Sequence, residues 1–235
     1  MSHSLEKPRN SSELYRARSS EEVADTRPIL TGDIFGEVPA LDLDGTIRRR
    51  TVMLVEHPCA LRLDGVNLVP KLLTVEVEPR ESKSSWTGNF RFMPLPDLVV
   101  ELGSSHAAAM FVQGCYVTPE QLEEGERIAC LSTSGINLLM QRWVHHTTRV
   151  VVPTLTFHER NVAVYEEADL VEEWCFEREL LGVKRLDATT ECMEWLRQPL
   201  GELPNRQEQL RDAQFRSTVR KDMYSQLKGL AEIDS

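Results

Sequence analysis

The chain has 235 residues, of which 41% are hydrophobic and 27% are charged, and these proportions are typical of a globular protein with a substantial core. Its formal net charge of −10 and its pI near 5.2 argue against a protein that coats nucleic acid through bulk positive charge. Local basic patches are still compatible with this composition, because Arg48, Arg49 and Arg50 follow one another in the chain.

The cysteine pattern and the apolar runs bear on location and cofactors. The five cysteines form no CxxC pair, residues 1–27 contain no apolar signal sequence, and the longest apolar runs are far shorter than a membrane span. We therefore predict reduced thiols, a cytoplasmic location and no membrane association. We expect no cofactor and no metal site, since the Cys and His residues lack the spacing of zinc ligands.

The N-terminal third is predicted to pass from a tail into a sheet. Residues 1–27 are rich in Ser, Arg and Glu with little apolar periodicity, which predicts a flexible tail. A first strand is expected from Ile29 to Phe35. The stretch from Gly36 to Gly45 contains a proline and two aspartates, and we predict a loop or hairpin connection there.

The stretch from Ile47 to Leu63 is predicted to contain the central strand of the chain. Its apolar run, Val52 to Val55, indicates a buried strand, and Pro58 ends that strand because proline cannot donate to a β-ladder. Polar side chains flank the apolar run on both sides, and we predict that these two charged ends form the working surface. The flanking side chains are Arg48, Arg49, Arg50, Glu56, His57, Cys59 and Arg62.

Further strands and one short helix are predicted to complete the sheet. Thr118 and Gln121 have the spacing of a capping box, and Pro119 suits the first helical position, so a short helix should begin there. The strands are expected at Lys71–Glu78, Phe90–Met93, Leu98–Leu102, Ala107–Val117 and Arg127–Leu131.

A longer helix is predicted from Gly135 to Thr148, with Ser134 as its cap. Its apolar stripe is predicted to be Ile136, Leu139, Met140, Trp143 and Val144, with Asn137, Gln141, Arg142, His145 and His146 facing away from it. With Arg149, the polar residues Arg142, His145 and His146 would form a face that meets phosphate or the carboxylates of a partner. A solvated helix face is the alternative explanation. The following residues, Arg149 to Phe157, are expected to be extended.

The composition changes near residue 160, where we place a domain boundary. Residues 28–160 are predicted to form a β-barrel-like domain and residues 161–235 a helical extension. Three helices are expected in the extension, at Val162–Leu181, Ala188–Gln198 and Pro204–Leu230.

The order of segments around the central strand carries a resemblance to a known family. Thr31 to Phe35 reads TGDIF, a loop follows, three arginines lead into Val52–Val55, and Leu72–Val77 comes next. This order is similar to the opening of MazF/PemK-type toxins, whose first strand leads through a loop into an Arg-Pro turn and a hydrophobic strand. The resemblance covers about residues 30–80. It implies an α+β fold with an SH3-like β-barrel body, inserted helices and a helical C-terminal extension.

The resemblance also implies two kinds of activity. Family members that cleave RNA use an arginine at the start of the second strand and a Ser or Thr at the end of the third. Arg50 stands in the place of that arginine, with Thr51 where the family has proline, whereas the third strand carries Thr74 early and ends near Glu76. The related gyrase-binding toxins imply that the same barrel can act as a protein-binding module.

These observations lead to three functional hypotheses. The first is a cytosolic binding module for a protein partner or RNA, with a homodimer left open, in a phage or toxin–antitoxin setting. The second is a metal-independent endoribonuclease in which Arg50 stabilises phosphate charge and His57 or His145 acts as acid or base. The third is a thiol enzyme that uses Cys59 as a nucleophile. The alternative is a buried structural cysteine that follows a histidine in an ordinary turn. The remaining binding candidates are Arg48, Arg49, Glu56, Arg62, Arg142, His146 and Arg149.

Overall fold

A computed structural model describes residues 4–234 apart from 20, 25, 43, 81–85, 87–89 and 101–103, and it confirms the α+β class. The chain divides into two compact units. A sheet unit contains residues 1–24, 30–61 and 69–159, and a helical unit contains residues 25–29, 62–68 and 160–235. No described helix combines the length and the apolar character that crossing a membrane requires.

The sheet unit is built on one seven-stranded sheet in which every paired neighbour is antiparallel. Its spatial order is β1-β7-β2-β3-β4-β6-β5. The strands are β1 (Tyr15–Ala17), β2 (Asp33–Leu41), β3 (Ile47–Leu54), β4 (Leu72–Pro79), β5 (Phe92–Pro96), β6 (His106–Val117) and β7 (Glu126–Leu131).

The sheet is not closed into a barrel. Among the described residues no ladder joins its two edge strands, β1 and β5. A side chain joins them instead, because the hydroxyl of Tyr15 donates a hydrogen bond of 3.0 Å to the carbonyl oxygen of Pro96. The sheet therefore curls until its edges approach, without a continuous strand pairing around the curl.

The connection predicted from Gly36 to Gly45 is a hairpin and is shorter than expected, because β2 continues to Leu41 and pairs with β3 through this stretch. Proline is tolerated inside β2 because β7 pairs only with the first half of β2, which leaves one side of Pro39 outside the ladder. A bulge between Phe35 and Val38, with Glu37 at a φ of 57°, bends the strand between its two pairings.

The predicted flexible tail also needs correction, because it supplies β1 and part of the core. Tyr15 pairs with Leu131 of β7, and Leu14 is fully buried. The carbonyl oxygen of Leu14 approaches Gly135 so closely that a Cβ at that position would collide with it. Three residues are too short a strand to produce a visible alternation in the sequence, and this explains the incorrect prediction.

Three helices follow in the chain: α1 (Pro119–Glu123), α2 (Thr133–Thr148) and α3 (Thr154–Glu179). The capping box of α1 is confirmed. The cap of α2 is Ser132 rather than Ser134, since the Ser132 hydroxyl accepts the Gly135 N–H at 3.0 Å. The stretch Arg149–Phe157 is not extended throughout, because α3 begins directly after Pro153.

The helical unit has its own core around Trp174, which is fully buried. It comprises the later part of α3 together with α4 (Arg185–Arg197), α5 (Arg206–Gln209) and α6 (Ala213–Asp234). The last two were predicted as one helix. The break follows Leu210, and the Asp212 carboxylate accepts the Gln214 N–H at 2.9 Å, a local bond that competes with a continuous helix.

Two earlier stretches of chain belong to the helical unit. Arg27 forms an ion pair of 2.5 Å with Glu172 on α3, and Val66 packs against the helical core. The Arg197 guanidinium donates to the carbonyl oxygen of Asp64. Gly65 has a φ of 80°, and the Arg197 side chain fills the space that a Cβ there would need.

Candidate functional site

Arg50 lies near the middle of β3 and is held between two carboxylates. Its guanidinium donates to Asp42 at 2.9 Å and also to Glu76 on the neighbouring strand. Burial opposes the charged form, but the two ion pairs outweigh it and raise the pKa of Arg50 above its ordinary value. The charge that was predicted to meet a phosphate is therefore neutralised within the protein.

Arg48 extends the same network. It forms ion pairs of 3.0 Å with Asp42 and 2.9 Å with Asp44, and its side chain is 57% exposed. Hydrogen bonds from Thr46 hold the pKa of Asp44 below its ordinary value. We refer to this network as the charged rim, which consists of Asp42, Asp44, Arg48, Arg50, Glu76 and Glu78.

Glu78 belongs to the rim because it follows Glu76 by two residues in β4 and so points to the same face. Its carboxylate accepts a hydrogen bond of 2.9 Å from Gln113. The rim contains two guanidinium groups and four carboxylates, which gives it a formal charge of −2. Arg49 points to the other face of β3, where it donates to the carbonyl oxygen of Glu37 at 2.7 Å.

The hydroxyl on β4 lies inside the sheet unit. Thr74 is fully buried, and its Oγ donates to the carbonyl oxygen of Cys115 at 3.1 Å. A nucleic-acid phosphate has no access to a hydroxyl in this position. Thr74 therefore cannot take the role that the resemblance would give to a Ser or Thr on this strand.

The other end of the central strand is engaged in local bonds. His57 caps a short 3₁₀ turn, with its Nδ1 accepting the Cys59 N–H at 3.2 Å. Partial burial lowers the pKa of His57, and nearby Glu56 opposes only part of that shift. The Glu56 carboxylate accepts the Leu73 N–H at 3.4 Å. Cys59 is exposed and forms no disulfide.

Arg62 belongs to the helical unit. Burial lowers the pKa of Arg62, and Glu167 partly opposes the shift. Its Nε has no hydrogen-bond partner among the described residues. Burial in turn raises the pKa of Glu167, whose carboxylate accepts a hydrogen bond of 2.9 Å from Gln207.

The predicted polar face of α2 is largely buried. Asn137, Gln141 and Arg142 are all inside, which contradicts the expectation that they face away from the core. Burial lowers the pKa of Arg142 to about 10, and its guanidinium lies 4.5 Å from the centre of the Trp86 ring. The burial was missed because the segments that cover this face come from residues 6 and 86, far away in the sequence.

The histidines of α2 pack against aromatic rings. The His145 ring lies 4.9 Å from that of Phe90, and its buried Nδ1 has no hydrogen-bond partner among the described residues. The Nδ1 of His146 lies 2.7 Å from the carbonyl oxygen of Phe90. Arg149 is exposed and ends the helix at a φ of 65°. No phosphate-binding face made of these four residues is present.

The three predicted catalytic residues are not brought together. A rise of about 3.3 Å per residue places the Cα atoms of Arg50 and Leu54 about 13 Å apart, and His57 lies beyond Leu54. Within the described ranges, no hydrogen bond or ion pair joins Arg50, His57 and His145. No cluster of three or more Asp, Glu, His or Cys side chains suited to a metal ion is found in the described part of the chain.

Comparison with known proteins adds no assignment: no family model matches the chain, and the curated proteins gave no significant match.

Proposed function

We propose that the sheet unit is a protein-binding module that uses the charged rim. The observation that carries this proposal is the position of Arg50 between Asp42 and Glu76. An arginine that already has two carboxylate partners offers little net attraction to RNA phosphate. The excess of carboxylates over guanidinium groups favours a positively charged partner instead.

Exchange of partners at the rim is energetically cheap. The side chains of Arg48 and Asp44 are 57% and 51% exposed, so water screens their ion pair. Exposed ion pairs contribute about 0–1 kcal/mol each. A lysine or arginine from a partner can therefore replace Arg48 at Asp44 without a large loss of internal stability, and Glu76 adds to the negative charge of the rim. We propose a basic segment of another protein as the partner.

The proposal includes an SH3-like barrel related to that of MazF/PemK-type toxins. The curled antiparallel sheet and the Tyr15–Pro96 bond between its edges support this relationship. A cytoplasmic location is part of the same proposal and is supported by five cysteines that form no disulfide. The toxin or phage setting rests on the resemblance of residues 30–80. A second copy of the chain is one form that the partner can take.

An endoribonuclease that uses Arg50 with His57 or His145 is the competing hypothesis, and no described contact favours it. Total RNA incubated with the purified protein tests it directly. We expect no cleavage, with or without divalent metal, and no difference between the wild type and Arg50→Ala. Cleavage that disappears in Arg50→Ala would overturn the binding proposal.

The binding proposal is tested with fluorescent peptides of matched length that are rich in lysine and arginine or in glutamate. Anisotropy should show binding of the basic peptides only, with an affinity that falls as salt is raised. Glu76→Gln should weaken binding about fivefold, which corresponds to about 1 kcal/mol. The matched control is Glu124→Gln, an exposed carboxylate of the sheet unit outside the rim. Equal losses in both variants would contradict a specific role for the rim.

A further inference from the structure

Glu6 is an exposed residue outside any helix or strand, yet it is held by five hydrogen bonds. Its carboxylate accepts from the N–H and the hydroxyl of Thr154 at 2.8 and 2.6 Å, and from Gln141 at 3.1 Å. Its backbone N–H donates to Gln141 at 2.7 Å, and its backbone carbonyl accepts from Arg142 at 3.2 Å. Both the side chain and the main chain of this residue are therefore bound.

The groups that bind Glu6 are also held by partners elsewhere in the sheet unit. Gln141 is fully buried with the segment in place, and the same amide nitrogen that contacts Glu6 also donates to the carbonyl oxygen of Val152 at 2.8 Å. Arg142 donates to the carbonyl oxygen of Trp86 at 2.8 Å, with the Trp86 ring over its guanidinium. Because these donors have second partners, they are held in position to bind a segment of chain.

The chemistry of this site selects a carboxylate on an extended chain. Thr154 is the first residue of the 26-residue helix α3, so its N–H lies where the helix dipole favours negative charge. The Gln141 amide accepts from the backbone N–H of Glu6 and donates to its carboxylate, so it contacts the main chain and the side chain of the same residue. Residues 4–8 have no regular secondary structure, so these main-chain groups are not used in helix or strand bonds.

We propose that the junction between α2 and α3 is a binding site for an extended, carboxylate-bearing peptide segment, and that residues 4–8 occupy it in cis. An acidic segment of a partner protein would enter this site by displacing the N-terminal segment. The site is separate from the charged rim and selects the opposite charge, so it goes beyond the function proposed above.

The test places the same segment in trans. Full-length Glu6→Ala empties the carboxylate position, and a peptide with the sequence of residues 4–10 is titrated into it while the amide signal of Thr154 is followed by NMR. A tethered segment has an effective concentration of about 1 mM, so the titration extends to about 5 mM. We expect the peptide to restore the wild-type Thr154 signal in Glu6→Ala, and a peptide with Gln in place of Glu to bind at least tenfold more weakly.

Controls separate this proposal from a merely structural role for Glu6. Lys7→Ala retains the cis segment, so it and the wild type should bind the peptide at least tenfold more weakly than Glu6→Ala. Circular dichroism checks that Glu6→Ala is folded, and the milder Glu6→Gln variant serves the same titration if it is not. The proposal is wrong if the Thr154 signal of a folded variant does not change with the peptide at 5 mM. It is also wrong if that variant binds the Glu and Gln peptides equally.

Discussion

The hydroxyl of Tyr15 donates to the carbonyl oxygen of Pro96 at 3.0 Å, and this bond joins the two edge strands of the sheet. The two residues are 81 positions apart in the chain. Tyr15 is 7% exposed, and its burial raises the pKa of the phenol well above its ordinary value. This neutral hydrogen bond, with the 3.5 Å ion pair between Arg18 and Asp97 next to it, links the two edges that strand pairing leaves open.

Tyr15→Phe should lower the free energy of unfolding by about 1 kcal/mol, because it removes this bond and leaves the Pro96 carbonyl without that donor. Urea unfolding followed by tryptophan fluorescence measures the change. Tyr116→Phe is the matched control, since Tyr116 is on β6 of the same unit and is exposed. A loss no larger than that of the control would show that the Tyr15 hydroxyl does not stabilise the sheet.

Glu191→Ala should destabilise the helical unit by about 2–4 kcal/mol. The Glu191 carboxylate accepts from the indole of Trp174 at 2.9 Å and from Arg178 at 2.8 Å. Its removal takes an acceptor from two buried donors at once. Glu194→Ala, on the exposed face of the same helix, should change stability by less than about 0.5 kcal/mol. Thermal unfolding of the two variants in parallel checks the difference.

Gly65→Ala and Gly45→Ala form a matched pair. Both glycines have a φ of 80°, so alanine costs about 1–2 kcal/mol at either position. Nothing lies within 4 Å of a Cβ at Gly45, whereas the Arg197 side chain fills that space at Gly65. Gly65→Ala must also displace the Arg197 guanidinium from the carbonyl oxygen of Asp64, so it should destabilise by up to about 1 kcal/mol more. Equal losses, measured by urea unfolding, would mean that Arg197 moves aside without cost.

Glu167 should give stability a pH dependence of a defined sign. Because burial raises its pKa above the ordinary value of 4.5, the folded state binds the proton more tightly than the unfolded state. The stability that protonated Glu167 contributes is fully present below about pH 4.5 and is lost as the pH rises through the pKa of Glu167 in the folded state. The stability of wild type relative to Glu167→Gln should thus fall between pH 4.5 and 7. Glu194→Gln should show no such trend.

The five thiols should react at different rates with a mild alkylating agent. Cys59 is exposed and should be labelled first, and partly exposed Cys115 should follow. Cys130, Cys175 and Cys192 are buried, and burial raises the pKa of Cys175 and Cys192, so their reactive thiolate is scarce. Mass spectrometry after a short exposure, repeated in denaturant, checks this order. Labelling of Cys192 before unfolding would contradict the described core.

Structural features that depend on residues close together in the sequence were predictable. The apolar run of the central strand is buried as predicted, and the capping box of α1 forms as its spacing indicates. On α6, Val219, Met223 and Leu227 recur at helical spacing and are buried, whereas Phe215 is exposed. Each of these features depends on residues within two or three turns of one another, where propensity and periodicity act.

Features that depend on distant residues were not predictable. Arg50 was predicted to stabilise phosphate charge. Its partner Asp42 lies in the stretch that was predicted to connect two strands, so the ion pair that neutralises the Arg50 charge was not predicted. Gln141 was predicted to face away from the core, because no residue near it in the sequence indicates its contact with Glu6, which is 135 residues away. No local pattern encodes a contact over that separation, so the site at the α2–α3 junction emerges only from the fold.

The helical unit is assembled from three separated stretches of chain, and this limits how the gene can be divided. A fragment that starts at residue 160 would lack Arg27 and Val66, and with them one ion pair and part of the cover over Trp174. During synthesis, the two early stretches leave the ribosome long before the helices that receive them. A cut at the compositional boundary would therefore keep the sheet unit whole but separate the helices from two stretches that pack with them.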